Sequence, residues 1–400
     1  MKSYIERPIY MDKLNPFIGK SIIKVLTGQR RVGKSYLMYQ VIDQLKASNS
    51  AINIIYIDKE QYEFDGIKNY EDLIKYYQNH AIEGKNALFI DEIQDIKEFE
   101  KALRSLYNLD NIDIYITGSN ANMLSGELAT FLSGRYIEIQ VNSLSYSEFL
   151  MFHQKTNSQE VFMQFLRFGG LPNLIHFPLE ESVVHEYLRN IYSTILYKDV
   201  IKRNSIRNVS FLENLVNYLA DNLGSLVSAK KISDFLKSQQ VSITPNTVLD
   251  YLDFIQNSFF IHRVKRQEIK GKKIFEIGEK YYFEDIGLRN AIIGFRLNEI
   301  QKLLENVVYN HLRICGYVVR IGVLGQNEID FVAEKNNETV YVQVCYLIQE
   351  QSTHDREFGN LLAIKNQFPK YVLSMDAPVN SNTFMGINHK SIPDFLLEFL

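Results

Sequence analysis

The 400-residue chain carries 44 basic and 47 acidic side chains, a formal charge of −3, and 46% hydrophobic residues. That balance excludes a generally basic coat, so any nucleic-acid contact has to come from a local patch, while the length allows two or three domains, each with its own core. The two cysteines, Cys315 and Cys345, are far from C-x-x-C spacing, which excludes a disulfide framework and a cysteine zinc site. The stretch Met1–Pro8 lacks the apolar core of a signal peptide, and no apolar run approaches membrane-spanning length. A cytoplasmic protein that does not enter a membrane is expected.

In chain order, residues 1–20 read as a lead-in: a short helix, then Asn15-Pro16-Phe17-Ile18-Gly19. The apolar strand Ile22–Leu26 runs into Gly28-Gln29-Arg30-Arg31-Val32-Gly33-Lys34-Ser35, which satisfies G-x-x-x-x-G-K-[ST] at every fixed position. Glycines there let successive N–H groups turn inward around a phosphate. Lys34 suits the β- and γ-phosphates as a point charge, and the Ser35 hydroxyl suits Mg²⁺. The helix expected from Lys34 adds its positive end to the anion site. A nucleoside triphosphate site is the expectation.

Ala51–Asp58 is a β-branched run of the kind buried in parallel sheets. Ala87-Leu88-Phe89-Ile90-Asp91-Glu92 is a second such strand, delivering two carboxylates at its C-terminal end, which faces the ligand crevice in open α/β sheets. Asp91 is suited to hold Mg²⁺ through its water shell, and Glu92 to orient and deprotonate the attacking water. The strand Asp113–Gly118 ends in small polar residues. Thr117, Ser119 or Asn120 either senses the γ-phosphate or caps the next helix. Arg135, in Ser133-Gly134-Arg135, is either an arginine finger, from the same subunit or a neighbour, or half of a surface salt bridge. Tyr136–Val141 alternates like an edge strand.

This order of motifs resembles the AAA+ ATPases, and more narrowly a prokaryotic family in which an AAA-type ATPase domain precedes a C-terminal domain of uncharacterised function. The carriers are Thr27–Ser35, Phe89-Ile90-Asp91-Glu92-Ile93-Gln94, Ile116–Asn120, Leu132–Arg135 and Leu144-Ser145-Tyr146-Ser147-Glu148-Phe149, and the resemblance continues through Phe168–Pro172 over nearly the whole chain. It implies a 5-1-4-3-2 parallel sheet, adenine as the base, and the roles given above for Asp91, Glu92 and Arg135.

Beyond residue 150 the pattern turns helical, with apolar residues at helical spacing in Val161–Leu166 and a turn at Gly169-Gly170-Leu171-Pro172. Residues 225–285 read as helix, turn, helix and hairpin, the winged-helix layout, which also agrees with the resembled family. The wing carries Arg263, Lys265, Arg266, Lys270, Lys272 and Lys273 against Glu268, so residues 263–273 either contact phosphates of double-stranded DNA or form a solvated or protein-binding hairpin. Asp250 and Asp253 on the preceding helix temper the DNA reading.

The C-terminal pattern of helix 301–315, strand 317–321 and the alternating strands 328–332 and 339–345 looks like the PD-(D/E)XK restriction-endonuclease fold. Glu305 and Asp330 fit its first two metal positions. Gln343 and Cys345 stand where the acid and lysine belong, and neither supplies the required charge. A degenerate binding domain is expected rather than an active nuclease.

The expectation is therefore an α/β chain: an AAA-type ATPase domain over 1–150, a helical connector and winged-helix domain over 151–290, and a restriction-endonuclease-like domain over 291–400. Its expected function is an ATP- and Mg²⁺-dependent switch acting on DNA or a protein partner, with a homo-oligomer left open. The alternatives are a non-hydrolysing, nucleotide-stabilised binding module and a Mg²⁺-dependent nuclease.

Overall fold

The computed structural model describes residues 4–121, 132–238, 243–271, 273–377 and 382–398. It divides into two compact units: residues 1–142 with 257–259, and residues 143–256 with 260–400.

The first unit is built on five parallel strands: β1 Ile23–Thr27, β2 Asn53–Asp58, β3 Asn86–Asp91, β4 Ile112–Gly118 and β5 Tyr136–Gln140. Their order is β2-β3-β4-β1-β5, the expected 5-1-4-3-2 arrangement. Every residue of β1 and β3 is buried, as their continuous apolar runs require for strands covered on both faces. β5 lies at the sheet edge, in keeping with its alternation. The helices are α1 Pro8–Leu14, α2 Lys34–Ser48, α3 Tyr70–His80 and α4 Phe99–Tyr107. Asn69 and Asp72 fix the start of α3 with a reciprocal capping box. Ile90, Ile116, Leu103 and Leu73 belong to one buried cluster beneath the sheet.

The second unit opens with α5 Tyr146–Phe152, α6 Gln159–Phe168, α7 Glu181–Thr194 and a π-helical stretch, Ile195–Lys202. Then come α8 Val209–Asp221, α9 Ala229–Ser238, α10 Pro245–Asn257 and the antiparallel hairpin β6 Ile261–Glu268 with β7 Ile274–Phe283. After α11 Ile286–Ile293 and α12 Ile300–Ile314 follow β8 Val318–Leu324, β9 Asn327–Lys335, β10 Glu338–Val344, α13 Gln351–Leu362, β11 Lys370–Ser374, β12 Asn382–Phe384, β13 Ile387–Ser391 and α14 Ile392–Glu398.

Two expected boundaries shift. The units part after Asn142 rather than at 150, because Leu144 already bonds to the Gly170 carbonyl and Ser145 caps α5. No break falls at 290 either. β6 pairs in parallel with β8, Arg266 opposite Ile321 and Glu268 opposite Val323, so the hairpin belongs to the C-terminal sheet of order β12-β13-β11-β10-β9-β8-β6-β7. Gly322 of β8 sits in tight packing: a Cβ there would lie within 3.0 Å of side-chain atoms of Val332 and Ile329 on β9 and of Ile269.

Candidate active site

β1 delivers the loop Gly28–Ser35 at its C-terminal end. Gly28 has φ 140°, and a Cβ on it would stand 2.1 Å from the Val141 carbonyl oxygen, so only glycine fits. Gly33, at φ 96°, immediately precedes α2, whose first residue is Lys34. Arg31 also takes a left-handed backbone, at φ 72°. Lys34 is 4% exposed, and its Nζ donates to the Gly28 and Gln29 carbonyls at 3.0 Å each. A buried ammonium needs such partners. It also faces Glu92 Oε1 at 3.8 Å.

The Asp91–Glu92 pair is held from several strands. The Ser35 hydroxyl bonds to Asp91, joining the start of α2 to the end of β3. Thr117 Oγ1, from β4, donates to Asp91 Oδ1 and accepts the Glu92 N–H at 2.9 Å. Tyr56, from β2, donates to Asp91 Oδ2 at 3.2 Å. Burial and the Glu92 charge push the Asp91 carboxyl above its usual range, against Ser35, Thr117 and Lys34. Glu92 has a left-handed backbone, φ 55° and ψ 53°. Its Oε2 receives the Ser119 hydroxyl at 3.1 Å and the Gln94 amide. Burial opposes its charge, but Lys34, Arg30 and those two donors outweigh it and hold the carboxyl below its usual range.

Ser119 therefore meets Glu92 rather than open space, and the helix it was expected to cap lies outside the described residues. Arg30 pairs with the half-exposed Glu60 at 2.6 Å. Val32 is buried, and its carbonyl accepts Arg7 Nη1 at 2.8 Å. Gln29 is fully buried, and neither of its amide atoms has a partner among the described residues.

Arg135 is not brought to this loop. Its carbonyl bonds to the N–H of Ile23, the first residue of β1, while the loop follows the last, Thr27. Four strand steps put about 13 Å between the two ends. The Arg135 guanidinium lies 5.3 Å over the Tyr107 ring, so the same-chain finger fails on distance.

The set fits a magnesium nucleotide. Ser35 and Asp91 offer hard oxygens side by side, and Mg²⁺ takes its remaining ligands from phosphates and water. No cluster of three His, Cys, Asp or Glu suited to a metal occurs among the described residues.

Three contacts of the site were not legible in the sequence. Arg7, Thr117 as a bridge between both acids, and Gln94 are placed by folding; only the nearness of Gln94 to Glu92 gave a signal.

In the C-terminal unit, Glu305 and Asp330 do approach one another's field, yet the surroundings are saturated. Gln343 accepts the Asp330 N–H at 2.8 Å and donates to Glu357 at 2.7 Å. Lys280, from β7, lies 2.8 Å from Glu328 and 3.6 Å from Glu305, and Tyr282 donates to Glu305 at 3.2 Å. Burial pushes the Asp330 and Glu305 carboxyls and the Cys345 thiol up. On the hairpin β6–β7 and the turn between its strands, Arg263 pairs with Asp253 at 3.2 Å, while Lys265, Lys270 and Lys273 are exposed. Lys272 lies outside the described residues.

A family model described as an AAA domain matches residues 20–150, and one described as a domain of unknown function (DUF8612) matches residues 159–299. An uncharacterized protein of Haemophilus influenzae is 37% identical over 408 residues, covering 99% of this chain and 100% of its own length. An uncharacterized protein of Methanocaldococcus jannaschii is 31% identical, covering 82% of this chain and 75% of its own. Among solved structures, the Walker-type ATPase of Pyrococcus abyssi aligns with a TM-score of 0.53 at 16% identity, covering 72% of this chain and 96% of that one. That last likeness is one of fold. No described helix is long and apolar enough to cross a membrane.

Proposed function

The chain belongs to the family of the Haemophilus influenzae protein that it matches from end to end, an AAA domain followed by a domain of unknown function, and from that premise we propose that it is an ATP-hydrolysing molecular switch. Nucleotide state in the first unit is coupled to binding of DNA or a protein by the second. The observation that carries the reading is Glu92: a buried carboxylate just beyond β3 that faces the phosphate-loop lysine at 3.8 Å and accepts from Ser119 and Gln94.

In this reading the loop Gly28–Ser35 with Lys34 binds the phosphates, and Ser35 and Asp91 hold Mg²⁺. When bound, the metal would neutralise charge that develops on the phosphates. Glu92 takes the proton of the attacking water, Ser119 fixes the Glu92 rotamer, and Arg135 serves a neighbouring subunit's site. For the second unit, Lys265, Lys270 and Lys273 are the proposed phosphate contacts. The Lys280-filled acidic cluster argues for binding rather than cleavage of nucleic acid.

The test is phosphate release from Mg-ATP by wild type and Glu92→Gln, with and without double-stranded DNA. Loss of a general base predicts a fall of about 100-fold or more. Stimulation by DNA supports DNA coupling, and indifference to DNA supports a protein partner. Turnover undiminished in Glu92→Gln overturns the hydrolase assignment.

A further inference from the structure

Gln94 lies two residues beyond Glu92, in the 3₁₀ turn Ile93–Asp95. Side chains two apart do not meet on a regular helix. Here the left-handed backbone of Glu92 redirects the chain, and the Gln94 amide returns onto the Glu92 carboxylate. The partner fixes the orientation of that amide. Nε2 donates to Glu92 Oε2, so the carbonyl Oε1 points away from it. That Gln94 Oε1 is buried, and no donor reaches it among the described residues. Such an acceptor carries an unrecovered desolvation cost until an O–H or N–H arrives. Glu92 Oε2 is occupied by Gln94 and Ser119, which leaves Oε1, on the Lys34 side, to receive a proton.

We propose that Gln94 is a second catalytic residue, which orients the attacking water together with Glu92; this rests on the hydrolase reading above. One water O–H donates to Gln94 Oε1 and the other to Glu92 Oε1. The water oxygen forms a bond to the γ-phosphorus as its proton passes to Glu92. The bond from that phosphorus to the β,γ-bridging oxygen breaks, and its electron pair leaves with ADP. The proton on Glu92 is then released with the phosphate. A single amide thus serves two ends: its donor sets the base, and its acceptor sets the nucleophile.

The two ends can be separated by substitution. Leucine has neither, lysine only donors, and neutral histidine one donor and one acceptor. The experiment measures kcat, Mg-ATP affinity and Tm for Gln94→Leu, Gln94→Lys and Gln94→His beside wild type and Glu92→Gln. Gln94→Leu is expected to lower kcat about 10- to 100-fold, with the ATP Kd within about threefold and an unchanged Tm. Gln94→His is expected to retain several times the activity of Gln94→Lys. Activity of Gln94→Leu within twofold of wild type, or Gln94→Lys matching Gln94→His, overturns the water-orienting role while an inactive Glu92→Gln leaves the hydrolase reading standing. Wild type that binds ATP and releases no phosphate overturns both.

Discussion

At the scale of single residues, the phosphate loop shows how one charge organises its surroundings. Lys34 is buried against two loop carbonyls and faces Glu92, so one ammonium is placed for both proposed tasks, phosphate contact and support of the Glu92 charge. Replacing Lys34 by alanine removes charge-assisted contacts to the phosphates, each worth about 1.5–3 kcal/mol. An ATP Kd raised by at least about 30-fold is the expected outcome, read by titration with a non-hydrolysable analogue; affinity within threefold of wild type would contradict the assignment of Lys34. The residues of this site that were legible in the sequence, Gly28 through Ser35 with Asp91 and Glu92, share one property. Their chemistry is set by neighbours in the chain. Thr117 and Tyr56 were not legible as Asp91 partners, because β4 and β2 bring them there across the sheet.

At the scale of elements, β3 carries the acids because six buried residues fix its position between β2 and β4. The lead-in helix α1 is tied down differently. Arg7, 2% exposed, donates from Nη1 to the Val32 carbonyl at 2.8 Å and to the Asn142 carbonyl at 3.1 Å, and it lies 4.4 Å from the Tyr10 ring centre. It therefore joins the lead-in, the phosphate loop and the end of β5. Truncating Arg7 to alanine strands two buried acceptors, at about 1–3 kcal/mol each. The expected result is a Tm lowered by several degrees and weaker nucleotide binding, seen by thermal melts with and without analogue. An unchanged melt would show that the lead-in does not support the loop. The hairpin β6–β7 teaches the opposite lesson. Its strands and basic residues were visible locally, but its pairing with β8, which makes it part of the C-terminal sheet, was not.

At the scale of the whole molecule, Arg135 decides a question of assembly. It sits at the end of the sheet away from its own phosphate loop, so its proposed role requires a second copy of the chain. Arg135→Ala is then expected to lose about 10-fold or more in turnover. Mixing it with Glu92→Gln should recover activity that neither variant has alone, since each supplies the group the other lacks. Full activity of Arg135→Ala by itself would remove the arginine from the mechanism. The sequence by itself determined the strands of the first unit and the candidate site residues at their ends, because apolar runs, glycine positions and strand-end acids are local signals that one chain segment specifies; the order of those strands was implied by the family resemblance. Only the tertiary structure decided that Arg135 lies away from its own phosphate loop, that the hairpin β6–β7 shares a sheet with residues 318–344, and that Lys280 and Gln343 fill the acidic cluster around Glu305 and Asp330. Those outcomes depend on which strands become neighbours, a choice made by packing between segments far apart in the chain.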